Sequence, residues 1–203
     1  MKMPDCHPIT PEQLRLAHQT FLQNEPRDLF YRAAIHLVEE GWDNHAALNL
    51  AEAVSVLLQT WNRSFYQYRP FTNEHFADIE GLLRSHRDTF AQYRGRDIRD
   101  LRHDEEQIIA SLFQSFETVL GPVGAAKTLH LLAPSFFPIW DRTIAVAYDL
   151  PLSGAGTNGI KYFVFAECQK EQAEALGAHL PDGLTAIKAI DEYNYCHFSK
   201  GWM

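Results

Sequence analysis

Apolar residues return every three or four positions through most of this 203-residue chain, the period of helices that bury one face. Strand-like alternation is essentially absent. Thr10-Pro11-Glu12-Gln13 reads as an N-cap with proline at the first helical position, and Leu14, Ala17, Phe21 and Leu22 keep helical spacing behind it. A second helix follows Pro26 and stops near Gly41. A third is expected from about Asn44 to Tyr66; it is apolar most of the way round, which marks it as the central buried helix. Thr72-Asn73-Glu74 opens a fourth, with Phe76, Ile79, Leu82, Leu83, Phe90 and Tyr93, and residues 95–101 read as a connector. A fifth spans about Asp104 to Leu120. Beyond a polar loop from Pro151 to Gly159 come two last helices, about Ile160 to Leu176 and Gly183 to Tyr195. The pattern predicts an all-α domain of seven to nine helices over residues 1–203. Its core is expected at about 45–150, with helices from 10–41 and 160–195 packed on it.

Between the fifth helix and the polar loop lies the stretch that breaks the pattern. Leu120 is followed by a tight Gly121-Pro122-Val123-Gly124 turn and then at once by a helix carrying Lys127 and His130. After Pro134 an aromatic run, Phe136-Phe137-Pro138-Ile139-Trp140, leads into another helix that starts at Asp141 and runs to Tyr148. A glycine-bounded turn at a helix start exposes backbone N–H groups that hold an anion without a cationic side chain.

Charge makes that feature matter. The net charge of −8 argues against nucleic-acid binding by the whole surface. Eight arginines lie between Arg63 and Arg102 against six acids, a local balance of +2, while the remainder carries −10. That segment is either a phosphate-facing surface or an ion-paired helix surface. Three widely spaced cysteines, Cys6, Cys168 and Cys196, indicate neither a disulfide framework nor a zinc site, which makes a reducing cytoplasm the default. His36 with Glu39 and Glu40 lacks a second ligating histidine, so no metal is expected. No apolar run approaches the roughly 18 residues that span a bilayer, and the N-terminus has no secretory core.

The residues themselves resemble a family. Leu120-Gly-Pro-Val-Gly-Ala-Ala-Lys127-Thr128 is similar to the helix-hairpin-helix element of the helix-hairpin-helix DNA glycosylases, and Pro138-Ile139-Trp140-Asp141-Arg142-Thr143-Ile144 resembles their segment with a catalytic aspartate at a helix start. Ala53 to Thr60 is similar to their early helix, on which a polar residue faces the DNA gap. The likeness covers roughly residues 45–150. The hairpin departs from the family's Pro-Gly-Val-Gly order, one residue is added before Lys127, and the interval from Lys127 to Asp141 is shorter. No four-cysteine cluster follows, so no iron–sulfur cofactor is implied.

The resemblance implies a monomeric glycosylase of compact bacterial type that acts on double-stranded DNA with a flipped base. It would cleave the N-glycosidic bond of a damaged or modified base, in repair or in defence against phage with modified DNA. Asp141 would stabilise the sugar cation, with a plain N-cap as its structural role. Lys127 would be either a Schiff-base nucleophile with abasic-lyase activity or a phosphate contact. Gln59, Trp61, Tyr66 and Trp140 would form the base pocket, and Gly121, Val123, Gly124 and Thr128 would grip the backbone. A non-catalytic helix-hairpin-helix module that binds DNA or protein, and a helical enzyme of unrelated chemistry, are the alternatives.

Overall fold

The computed structural model describes residues 4, 6–43 and 50–203. Within them the chain is helical and no strand occurs. Helix α1 (Pro11–Asn24) begins where the sequence pattern places it. Thr10 Oγ1 accepts the Gln13 N–H at 3.2 Å, and Gln13 Oε1 accepts the Thr10 N–H at 2.8 Å, so two orphan amides of the first turn are satisfied. Helix α2 covers Asp28–Asp43. The expected helix start at Asn44 lies outside the described residues; α3 is seen from Leu50 to Trp61. Asn62, at φ −120° and ψ 34°, then breaks the chain before the short α4 (Arg63–Tyr66). The fourth predicted helix is likewise two, α5 (Asn73–Ser85) and α6 (Arg87–Tyr93), divided at His86. Two 3-10 turns, Ile98–Asp100 and His103–Glu105, form the connector.

The span Glu106–Leu132, here α7, is two helices that meet at a kink inside the predicted hairpin. Its only non-helical residue is Gly121, at φ 70° and ψ 168°. The four-residue turn is therefore reduced to a single glycine, with Pro122 starting the second half, where its missing N–H and fixed φ cost nothing. Helices α8 (Arg142–Ala147), α9 (Gly159–Leu176) and α10 (Ala186–Asn194) follow, and a π turn over Tyr195–Ser199 ends the last one.

The packing corrects the expectation for α3. Glu52, Val56 and Gln59 form an exposed face, while Leu50, Ala51, Ala53, Val54, Leu57 and Leu58 are buried. The central element is α7, which packs against α2, α3, α5 and α9. By length and apolar composition, residues 103–132 form the one candidate membrane span among the described residues, but half of its apolar window is buried inside the fold and Gly121 breaks it. Beside α7 the aromatic core is continuous: Phe113 stacks on Tyr162 at 4.2 Å, and Trp140 meets Tyr162 at 5.2 Å and Phe165 at 5.5 Å. Helix α1 lies on α10 and α2 on α3.

The cysteines overturn a second expectation. Cys6 and Cys168 are joined in a disulfide, while Cys196 is free and buried. The bond ties the segment before α1 to α9 across 162 residues. Loop closure of that size is worth about 5 kcal/mol in the chain-entropy picture. Cysteine usage therefore gives no support to the cytoplasmic expectation.

His130 is fully buried in the second half of α7. Its Nδ1 lies 2.8 Å from the Phe137 carbonyl oxygen, which can only accept, so Nδ1 carries the proton and Nε2 accepts the Tyr31 hydroxyl at 2.8 Å. Burial pushes the ring well down, to about 3, against the opposing bond to Phe137 and with help from Lys188. A histidine lowered in the folded state adds stability above its unfolded pKa of about 6.5 and loses it as pH falls toward 3, at about 1.4 kcal/mol per pH unit. The stability advantage of wild type over His130→Gln, read from urea midpoints, should therefore shrink steadily between pH 7 and pH 4.

Candidate active site

A cavity of about 650 Å³ opens beside Gly121. Five parts of the chain wall it: the start of the second half of α7, the segment around Asp141, the end of α10 with the π turn, and the junctions α1–α2 and α3–α4. The two glycines of the predicted hairpin explain the closeness of these parts. A Cβ on Gly121 would sit 3.1 Å from the Phe65 ring, and one on Gly124 would sit 2.8 Å from the Asn62 amide. Both glycines are needed for α7 to lie against α4. Residue 121 also adopts a conformation that only glycine holds without strain.

Lys127 lies one turn further on and lines the cavity. Its Nζ donates to the carbonyl of Trp61, the last residue of α3, where the helix dipole is negative. Burial nevertheless pulls the amine down to about 8; Asp141 and Asp191 oppose this and Arg27 adds to it. The neutral, nucleophilic amine is thus far more accessible near neutral pH than in an ordinary lysine.

Asp141 faces the same cavity from the start of α8. Its Oδ1 accepts the Ile144 N–H at 2.8 Å, the expected N-cap, and its Oδ2 accepts the Ser199 hydroxyl at 2.6 Å. Both carboxylate oxygens are held, so the group is fixed in place rather than free to swing. Trp140 sets the segment from behind: its indole N–H donates to the Pro122 carbonyl at 3.1 Å.

The structure brings Lys127, Asp141, Trp61, Gly121, Val123 and Gly124 to this one cavity. It does not bring the others there. Trp140 is completely buried among Phe113, Tyr162 and Phe165, because in the extended segment leading to α8 neighbouring residues point to opposite sides. Gln59 stands on the exposed face of α3 and is not among the residues that line the cavity. The Tyr66 hydroxyl is 3.1 Å from His75 Nε2, and its ring packs with Phe65, Phe71 and His75 outside the cavity. Thr128 is fully buried with its hydroxyl unpartnered, so it offers nothing to a DNA backbone.

Other groups arrive unannounced. Glu25, Arg27 and Tyr195 form a closed triangle on one wall: Arg27 Nε donates to Glu25 Oε1 at 2.7 Å, Tyr195 Oη to Glu25 Oε2 at 2.6 Å, and Arg27 Nη2 to Tyr195 Oη at 2.6 Å. Burial pushes the Glu25 carboxyl up, but those bonds outweigh it and hold the group down at about 2. Asp191, almost fully buried on α10, also lines the cavity. Burial raises its carboxyl to about 7, against the pull of Lys188. The signal for it in the sequence is thin: three charges, Lys188, Asp191 and Glu192, on a short helix with apolar neighbours. At the cavity wall Arg142 and Lys200 add positive charge. In the arginine segment Arg84, Arg96, Arg99 and Arg102 are ion-paired with Glu80, Glu105, Asp97 and Asp104, as the ion-paired alternative expects. Among the described residues no group of three or more His, Cys, Asp or Glu could hold a metal ion.

Gly121→Ala should cost about 1–3 kcal/mol of stability in urea unfolding, from backbone strain together with the contact to Phe65. Gly95→Ala, where an added Cβ meets nothing within 4 Å, should change it little by the same measurement. Comparison with known protein families, with curated proteins and with solved structures finds no match for this chain.

Proposed function

We propose that this protein is a DNA glycosylase that excises a damaged or modified base and, through Lys127, forms a covalent imine with the sugar. One observation carries the reading: a buried lysine held near pKa 8 and a doubly anchored aspartate line the same cavity beside a glycine break. Excision of a base through a covalent imine uses these two groups, an amine neutral enough to attack C1′ and a fixed carboxylate that stabilises the positive charge developing on the sugar.

The cavity, about 650 Å³, falls in the range of small-molecule sites and is large enough for a nucleoside. A target base must leave the duplex to enter it, at a cost of a few kcal/mol. The rings of Phe21, Trp61 and Phe65 line the walls, and stacking on such faces returns about 1–3 kcal/mol per base. Arg142, Lys200 and the N-terminal amides of the second half of α7 are the groups suited to the phosphates, which is how an acidic chain would hold DNA locally. In the reaction Nζ of Lys127 attacks C1′, the C1′–N bond breaks, and the base departs with the electron pair and takes up a proton. Asp141 faces the carbon where charge accumulates.

The test is a panel of duplexes with different modified bases, scored for abasic sites and for adducts trapped by borohydride. Wild type should release one class of base. Asp141→Asn should lower release at least a hundredfold, and Lys127→Ala should abolish the trapped adduct. Binding to DNA without release of any base, and without an adduct on an abasic duplex, would replace this reading with a non-catalytic DNA-binding module.

A further inference from the structure

The group that the lysine–aspartate pair leaves unexplained is Asp191. A carboxylate taken out of water needs hydrogen bonds or a close cation. Glu25 has both and Asp141 has two hydrogen bonds, whereas Asp191 has neither in full. Among the described residues it accepts no hydrogen bond, and its nearest cation, Lys188 Nζ, stands 3.9 Å away. Lys188 is itself shared with Asp28 at 3.4 Å and Glu192 at 3.1 Å. Asp191 lines the cavity from α10, and Lys127 lines it from the second half of α7. The two charges act on each other: Asp191 favours the ammonium of Lys127, and Lys127 favours the carboxylate of Asp191. The other charged groups that face the pair are Asp141 before α8, Glu192 on α10 and Arg27 before α2. Of the carboxylates, Asp141 is held by the two bonds described above and Glu192 lies 2.7 Å from His18 and 3.1 Å from Lys188, while Arg27 is a cation and accepts no proton.

We propose that Asp191 is the proton acceptor of Lys127, taking the proton that the lysine nitrogen must lose and returning it as the sugar ring opens. The inference deepens the glycosylase reading and rests on it for its DNA arm. After attack, Nζ is a secondary ammonium bonded to C1′. Asp191 takes one N–H proton, and the freed lone pair forms the C1′=N bond as the C1′–O4′ bond breaks. The O4′ oxygen leaves with that electron pair and receives the proton from the Asp191 carboxyl. The carboxylate is regenerated and no other reactant is required. Burial pushes the carboxyl up and the amine down, which brings both toward neutral pH, where general acid–base transfer is most efficient.

Two measurements on the 203-residue chain test this. The first needs no DNA. Lysines are labelled by reductive ¹³C-methylation, the Lys127 signal is assigned by its loss in Lys127→Ala, and its midpoint is followed against pH. Asp191→Asn removes a negative charge that favours the ammonium, so the midpoint should fall by at least half a pH unit from about 8. An unmoved midpoint overturns the coupling. The second follows borohydride trapping on an abasic duplex at a pH one unit above the midpoint that the first measurement gives for wild type. Asp191→Asn should form the adduct at least tenfold more slowly. An unchanged rate with a shifted midpoint overturns the proton transfer. If Asp191→Asn does not fold, Asp191→Glu keeps the charge and moves it by one methylene; its midpoint should stay near 8 while trapping slows several-fold, and an equal rate overturns the proposal. A wild type that gives no adduct defeats the glycosylase reading, and the proposed transfer with it, whereas the titration still reports whether the two groups are coupled.

Discussion

The start of the second half of α7 lies where a side chain does not fit. Phe65 closes over residue 121 and the Asn62 amide over residue 124, at distances no Cβ tolerates without displacement. The rest of the site is set from that approach. It brings α7 against the end of α3, so that the Trp61 carbonyl meets the Lys127 amine. It leaves the Pro122 carbonyl facing the core, where it accepts the Trp140 indole and fixes the segment that ends in Asp141. Ser199, carried by the π turn after α10, then completes the hold on the carboxylate. Backbone packing, rather than attraction between their side chains, brings Lys127 and Asp141 to one cavity.

The surroundings of that contact are costly. Lys188, Asp28, Asp191 and Glu192 are all buried or nearly so, and desolvating such groups takes several kcal/mol each, which their mutual attraction only partly offsets. Lys188 also sits 4.2 Å from the Phe21 ring centre and 5.1 Å from that of Tyr31, which recovers some of the lost hydration. An apolar cluster of the same volume would often hold the helices equally well or better. Titratable groups held away from their ordinary pKa values and gathered along one cavity wall are what a proton-handling site requires.

Local features were legible in the sequence and convergent ones were not. The Thr10 capping box and the Asp141 cap were readable because their partners lie three residues away. The glycines were readable as a break, but not as a break of one residue: its extent depends on Pro122 adopting helical φ at once and on Phe65 pressing from another helix. Trp140 looked like a pocket residue because it adjoins Asp141, yet adjacent residues in extended chain face opposite ways. Gln59 shares the outward face of α3 with Glu52 and Val56, a choice between faces that only the packing of α2 and α5 decides. Asp191 lies 50 positions from Asp141 and 64 from Lys127, so nothing local announces it. The Cys6–Cys168 pair is hidden for the same reason.

That disulfide gives the molecule the topology of a covalent ring with a tail. Residues 6–168 form the ring, which contains Lys127 and Asp141; the second half of α9, α10 and the π turn hang from its closure and contain Asp191, Tyr195 and Ser199. A single backbone cut inside the ring opens it without releasing a fragment. A cut in the 177–185 linker detaches one whole wall of the cavity. The two halves of the site thus differ in how firmly the chain retains them, and only the tail half can be lost in one event.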